Sequence, residues 1–296
     1  MPALPSRFRR PVLLIVGCGD VGLRVLPLVR DRWRVLALTS SPERMPALRA
    51  AGAEPVLADL DDAATLRRLA GLADAVLHLA PPPSHGTTDT RTRHLLQALA
   101  RRSRPARLVY GSTTGVYGDC GGAQFDETRP VNPATDRAKR RVDAEAQLRL
   151  AGQALGIASS VLRIPGIYAT DREGGHPRDR VARGAPVLMA EQDVYTNHIH
   201  ADDLARACVA ALFKAATQRR YHVTDDSDTR MGDHFDAVAA RYGLPHPPRL
   251  SRAELAQQLS PMQLSFMGES RRLINTRMKK ELRLQLLYPT VLDGLA

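Results

Sequence analysis

Val12-Leu13-Leu14-Ile15-Val16-Gly17-Cys18-Gly19-Asp20-Val21-Gly22 decides the fold. Five apolar residues in a row suit a strand buried on both faces. The next six read G-x-G-x-x-G, and a helix-forming run follows. In a strand–turn–helix, the first glycine permits the tight turn and the second lets a pyrophosphate approach the backbone. The third allows close strand–helix packing. The helix N-terminus then presents free N–H groups and partial positive charge to phosphate. Gly17, Cys18, Gly19, Asp20, Val21 and Gly22 are therefore expected to cradle a dinucleotide.

Strand and helix signals alternate outward from this stretch, which predicts a parallel sheet covered on both faces. Strands are expected at Val12–Val16, Arg34–Leu38, Pro55–Ala58, Ala75–Ala80, Arg107–Tyr110 and Ser159–Arg163. Helices are expected at Val21–Asp31, Arg44–Ala51, Asp61–Leu69, Thr90–Arg102 and Asp136–Leu150. After Pro165 the rhythm breaks into stretches richer in Gly, Pro and charge, read as substrate-side loops. A helix over Asp202–Lys214 and a strand at Tyr221–Val223 return to the main sheet. The expected architecture is a Rossmann-type doubly wound α/β fold with a small, mostly helical C-terminal substrate lobe. Residues 1–165, with 198–226 returning to them, form the dinucleotide-binding part; residues 166–197 and 227–296 form the loops and lobe.

The net charge is +11 over 296 residues, which invites anionic partners. The basic residues are dispersed, however. The densest group, Arg101, Arg102, Arg104 and Arg107, falls where a helix should end, and cations suit a helix C-terminus without any partner. Aromatic residues make up 4% of the chain, leaving few stacking platforms for nucleic acid. No apolar run is long enough to span a bilayer, and the basic opening Met1–Arg10 lacks the apolar core and cleavage site of a leader. Cys18, Cys120 and Cys208 have no metal-type spacing and suit a reducing cytoplasm.

The end of the second strand reports cofactor choice. NAD enzymes place an acid roughly 20 residues past the glycines to bind the ribose hydroxyls. Here the sequence is Leu38-Thr39-Ser40-Ser41-Pro42-Glu43-Arg44. Thr39, Ser40 and Arg44 suit a 2′-phosphate, so NADP is expected over NAD, unless Glu43 turns inward. Asp59 and Leu60, after the third strand, are placed against the adenine; the alternative for Asp59 is a helix cap.

These residues resemble the short-chain dehydrogenase/reductase superfamily, in its extended, sugar-nucleotide epimerase/dehydratase-like branch. The marks are the Gly17–Gly22 loop, Asp59-Leu60, His78-Leu79-Ala80 and Tyr110-Gly111-Ser112-Thr113-Thr114-Gly115-Val116-Tyr117-Gly118. To these are added Leu162-Arg163-Ile164-Pro165-Gly166-Ile167-Tyr168 and Asn197-His198-Ile199-His200-Ala201-Asp202-Asp203-Leu204-Ala205. The resemblance covers most of the chain. It implies that Leu79 and Ala80 line the cofactor and that Thr113, beside Ser112 and Thr114, polarises a substrate oxygen. It also implies a Tyr-x-x-x-Lys pair on the helix after strand five, with the Tyr as general acid/base and the Lys lowering its pKa.

That pair is missing. In Ala134-Thr135-Asp136-Arg137-Ala138-Lys139-Arg140-Arg141-Val142-Asp143-Ala144-Glu145, taking Lys139 as the Lys puts Thr135 in the Tyr position. Fixing the register by Glu145 puts Arg141 and Arg137 in the two places. Neither Thr nor Arg does the work of a phenol near neutral pH. Asp89 stands where the resemblance expects an Asn. Tyr117 and Tyr168 are the remaining phenols, with Tyr117 the candidate donor and packing the alternative for both. His198-x-His200 has no third ligand nearby, so no metal is expected. Asp126 and Glu127 should point apart on extended chain. Arg172, Arg178, Arg180 and Arg183 suit a diphosphate.

The expected function is an NADP-binding oxidoreductase or epimerase/dehydratase-like enzyme acting on a carbonyl or sugar-nucleotide substrate. The alternative is a catalytically silent NADP(H)-sensing module acting through a protein partner. The resemblance implies a homodimer through the helices near 90–102 and 136–150.

Overall fold

The computed structural model describes residues 10–295; Met1–Arg9, which make up most of the basic opening stretch, lie outside the described residues. The main elements run β1 (Val12–Val16), α1 (Asp20–Val29), β2 (Arg34–Thr39), α2 (Met45–Ala50), β3 (Glu54–Leu57), β4 (Ala75–His78), α3 (Thr90–Leu99), β5 (Arg107–Thr113), α4 (Asp136–Leu155), β6 (Ala158–Ile164), α5 (Ala201–Lys214) and β7 (Arg219–His222). The seven strands form one sheet in the order β7-β6-β5-β4-β1-β2-β3. From β3 to β5 the pairings are parallel, with Val12 opposite Arg34, Leu13 opposite Ala75 and Ala75 opposite Arg107.

The chain leaves β1 toward β2 and β3, then crosses to start β4 on the other side of β1. The strand order therefore reverses between β1 and β4. At that switch point a crevice opens at the carboxyl ends of the strands, and the Gly17–Gly22 loop stands there. All five residues of β1 are buried, as an apolar run in a doubly covered parallel sheet should be.

One expected helix did not form. Residues 61–69 hold turns and a single 3-10 segment, Thr65–Leu69. The side chains explain why. Asp61 N–H donates to Asp59 Oδ1 and Ala64 N–H to Asp62 Oδ1, both at 2.9 Å, while Thr65 Oγ1 donates to Asp62 O at 2.7 Å. Short polar side chains have taken the backbone groups that a helix would use. Elsewhere α4 runs five residues past the expected Leu150, stopping before Gly156 at φ +69°.

The chain divides into two compact units: Met1–Ser112, Asp136–Leu162 and Ala205–Arg220; and Thr113–Thr135, Arg163–Leu204 and Tyr221–Ala296. Residues 113–135, 163–165, 198–204 and 221–226, expected with the dinucleotide-binding part, group with the second unit. The first unit's core joins Leu14, Val16, Leu36, Leu38, Val76, Leu95, Leu99, Leu108, Tyr110 and Leu148. The second unit is built from helices and two-residue to three-residue ladders. Among them Gly166–Tyr168 pairs in parallel with His198–His200, and Tyr195–Thr196 pairs antiparallel with Thr229–Arg230. Its cores gather around Tyr168, Val181, Val238 and Val291, and around Leu188, Val194, Leu255 and Met267.

Several titratable side chains lie inside these cores. Burial lowers His78 in the first unit to about 3, and His198 and His222 in the second to about 4 and about 3. Asp225 is also buried. Its Oδ1 accepts the Ser227 N–H at 3.0 Å, its Oδ2 meets no donor among the described residues, and burial raises the carboxyl to about 8.

The histidines fix the sign of an acid response. Below the unfolded value of about 6.5, the unfolded chain binds protons that the folded one refuses. Their contribution to stability should be full above about 6.5 and should fall as pH drops from there toward 4. Urea midpoints should therefore decline across that window, and His198→Gln should flatten the decline. A midpoint that holds constant from about pH 7 to 4.5 contradicts this account.

Candidate functional site

The first unit carries the Gly-rich cradle. Gly17 sits at φ +86°, and a Cβ there would lie 2.4 Å from the Ala80 backbone nitrogen. The close approach has a cause: Val16 O accepts both the Leu79 N–H at 2.7 Å and the Ala80 N–H at 2.9 Å. The chain after β4 is thus drawn across the start of the loop, bringing Leu79 and Ala80 to Gly17. Gly19 is the opposite case. A Cβ there would meet nothing within 4 Å. Gly19 is also the N-cap of α1, and no side chain caps it. The first N–H groups of the helix therefore keep the donor capacity that suits an anion. Asp20, in that first turn, pairs with Arg24 at 3.2 Å.

Cys18 is 1% exposed, and burial pushes its thiol up to about 11, against a smaller opposing effect of Arg44. It is a protonated filler of the loop rather than a reactive thiolate.

The turn after β2 brings a cation to the same loop. Arg44 Nη2 donates to Cys18 O at 2.7 Å. Glu43, the acid that would oppose a phosphate, accepts from Ser41 Oγ at 2.5 Å, which holds its carboxyl below the usual range. Thr39 is buried and accepts the Ser41 N–H at 3.2 Å, while Ser40 is exposed. Asp59 uses Oδ1 in the turn with Asp61 N–H, and Leu60 packs into the core.

The end of β5 and the face of α4 complete this unit's site. Ser112 Oγ donates to the buried Glu145 Oε1 at 2.6 Å, which fixes the register of the helix. Lys139 is turned to Asp136, on exposed surface, at 3.0 Å. Arg141 is the cation that reaches β5, its Nη1 donating to Tyr110 OH at 2.9 Å and Gly111 O at 2.7 Å. The Tyr110 phenol, fully buried, is pushed up to about 12 and stays neutral. Asp89 is 1% exposed and caps α3 through the Thr92 N–H at 3.0 Å.

The second unit holds the two catalytic candidates. Thr113 is half-buried, and its Oγ1 accepts the Gly115 N–H at 3.2 Å. Tyr117 is 1% exposed, and its hydroxyl is engaged from two sides. His222 Nδ1 lies 3.1 Å from Ile274 O, so that nitrogen carries the proton and Nε2 accepts. Tyr117 OH therefore donates to His222 Nε2 at 2.6 Å while accepting from Arg163 Nη1 at 2.5 Å. The buried Glu127 accepts the His222 N–H at 2.8 Å and meets Arg277 at 3.3 Å. This directed chain, Arg163 to Tyr117 to His222 to Ile274, was not legible as a unit in the sequence. The one signal was a charged Arg163 within the buried strand β6.

The remaining candidates are dispersed. Asp126 bonds locally to Thr128, so it and Glu127 do diverge. Tyr168 OH donates to Thr290 O at 3.1 Å, and burial pushes that phenol well up. His198 stacks on His234 with centroids 4.2 Å apart, and His200 lies against Tyr168 and Tyr288. Arg180 and Arg178 lie over the rings of Phe235 and Tyr242 at 4.7 and 5.6 Å. Among the described residues no three His, Cys, Asp or Glu side chains converge on a metal-sized point, and no helix is long and apolar enough to cross a membrane.

The family model described as "NAD dependent epimerase/dehydratase family" matches residues 13–224. Protein YeeZ of Escherichia coli strain K12 is 25% identical over 245 residues, covering 79% of this chain and 84% of that protein. A conserved protein of unknown function from Silicibacter pomeroyi has the same fold at TM-score 0.80 and 30% identity, covering 96% of each chain. DesIV, a dTDP-glucose 4,6-dehydratase from Streptomyces venezuelae solved with NAD and DAU bound, superposes at TM-score 0.77 with 20% identity, covering 96% of this chain and 94% of that one.

Two contrasts test the geometry. Gly17→Ala should cost about 2–4 kcal/mol in chemical unfolding, because its Cβ meets backbone that cannot yield; Gly19→Ala should leave stability within about 1 kcal/mol of the parent. Tyr117→Phe should cost about 1–3 kcal/mol by breaking the buried chain, read from the same unfolding curves. Equal costs at the two glycines, or a neutral Tyr117→Phe, would count against these assignments.

Proposed function

The chain belongs to the NAD dependent epimerase/dehydratase family, and on that premise we propose that it binds NADP in the Gly17–Gly22 cradle. We infer that it acts as an oxidoreductase or epimerase/dehydratase-like enzyme on a carbonyl or sugar-nucleotide substrate. The observation that carries the cofactor reading is Arg44, held 2.7 Å from the loop carbonyl of Cys18, with Glu43 engaged by Ser41. A guanidinium suits a 2′-phosphate, which a carboxylate at the strand end would repel. The uncapped α1 N-terminus and the open space at Gly19 suit a pyrophosphate. Thr39, Ser40, Asp59, Leu60, Leu79 and Ala80 complete the proposed cofactor set. When bound, the nicotinamide supplies two-electron redox chemistry at carbon.

In this reading Thr113 polarises the substrate oxygen. Its Oγ1 accepts from Gly115 N–H, which leaves the O–H to donate to a carbonyl. A threonine hydroxyl is too weak an acid to protonate at neutral pH, so the role is polarisation. Tyr117 supports the second unit's interior, since its hydroxyl already serves Arg163 and His222.

A second reading has specific support. Position 141 of α4 carries an Arg that holds the phenol of Tyr110, which is fully buried. A protein that keeps the nucleotide cradle without an accessible phenol–cation pair fits an NADP(H)-sensing module acting through a protein partner. A cytoplasmic setting and a homodimer through the helices near 90–102 and 136–150 belong to both readings.

Calorimetric titration with NADP+ and NAD+ tests the cofactor. NADP+ should bind at least about tenfold more tightly, and Arg44→Ala should remove most of that preference. A preference for NAD+, or one unchanged in Arg44→Ala, overturns the NADP reading. NADPH oxidation across a panel of carbonyl substrates then separates enzyme from sensor. Turnover that falls in Thr113→Val supports the enzyme, whereas tight binding with no turnover of any member supports the sensor.

A further inference from the structure

The Gly-rich cradle stands at the carboxyl ends of the strands. At the opposite end of β1 and β2 the same unit has a second feature that this function does not use. An open cleft of about 430 Å³ is lined by Arg10, Arg30, Trp33, Arg34, Val35, Gly52 and Glu54. Val12 and Arg34 are paired at the start of their strands, so the cleft is separated from the Gly17 loop by the length of β1.

Its charges do not cancel. Arg34 and Glu54 form a two-pronged pair, Nε to Oε1 at 2.7 Å and Nη2 to Oε2 at 2.5 Å, which neutralises both. Arg10 uses one nitrogen to donate to Arg30 O at 3.3 Å, at the carbonyl end of α1, where a cation offsets the helix dipole. Among the described residues neither Arg10 nor Arg30 meets a carboxylate. Two guanidinium charges therefore face one cleft. Trp33 forms part of the wall; its indole N–H is enclosed and meets no acceptor among the described residues. The indole lies against Phe213, with centroids 6.1 Å apart, and the Trp33 backbone N–H donates to Val29 O at 2.9 Å. On the facing wall, Gly52 sits at φ +91° with nothing within 4 Å of where a Cβ would be, so the cleft is unobstructed there.

We propose that this cleft is a second binding site, for the phosphate group of a small phosphorylated metabolite. Two guanidinium groups match a phosphate dianion in charge, where a single carboxylate would leave one cation unmatched. The volume falls in the range of small-molecule sites and exceeds what free phosphate fills, leaving space for an organic body beside the indole. The site is independent of the dinucleotide cradle.

The chain has one tryptophan, so its fluorescence reports on this cleft alone. The probes are inorganic phosphate and ribose 5-phosphate, with ribose as the uncharged control, at constant ionic strength set by chloride. The expected result is a saturable change in Trp33 emission with both phosphates and none with ribose, with ribose 5-phosphate the tighter. Arg30→Gln and Arg10→Gln should each weaken it about tenfold or more. Both side chains are exposed, so folding should survive, which circular dichroism checks, and calorimetry provides a second readout. NADP+ affinity should be unchanged in both variants. A non-saturating response, or one equal in parent and variants, overturns the proposal as bulk anion screening. Saturation by inorganic phosphate with no gain from the ribose overturns its claim to a metabolite body.

Discussion

A single carbonyl organises the first unit. Val16 O, the last of β1, accepts two consecutive N–H groups from the chain leaving β4, those of Leu79 and Ala80. That double acceptance draws one strand's exit across another strand's turn, and only a residue without a Cβ can stand beneath it. The cradle follows: Gly17 must be glycine for the fold, and the next glycine, Gly19, is left facing open space. The two glycines look alike in the motif, but packing within the protein demands the first, while room for a ligand is the reason available for the second.

The departure from the usual phenol–lysine pair also has a structural form. Ser112 and Glu145 set the register of α4 on β5, and in that register the cation facing the strand is Arg141. An arginine holds its charge at any working pH, so it can anchor the strand end without serving as a proton relay. The end of β5 keeps a fixed positive charge where the resemblance implies a tunable one.

Much of this was legible because it depends on local pattern. The buried run Val12–Val16, the glycine spacing and the alternation of strands with helices each have a period or a turn that sequence displays directly. The parallel, doubly covered sheet followed from that alternation; the strand order did not. The failures were those of competing local chemistry and of distance. Residues 61–69 read as a helix, yet Asp59, Asp62 and Thr65 together replaced it with turns. Tyr117 read as a candidate proton donor because it follows strand five closely. Its partners Arg163 and His222 are 46 and 105 residues away, and nothing in a single sequence ties those three together. The charge of +11 likewise gave no hint that Arg10, Arg30 and the sole tryptophan share one cleft.

Asp225 gives the second unit a further property. Its carboxyl, half-satisfied and enclosed, holds a proton at neutral pH. The formal charge counts that carboxyl as ionised; with respect to this residue the folded molecule is one charge more positive than the count, and unfolding releases that proton to the solvent. The measured heat of unfolding near neutrality therefore contains the ionisation heat of whatever buffer receives it. Slightly above neutrality, where the histidines exposed on unfolding take up few protons, the same transition in a phosphate and in a Tris solution will return different enthalpies.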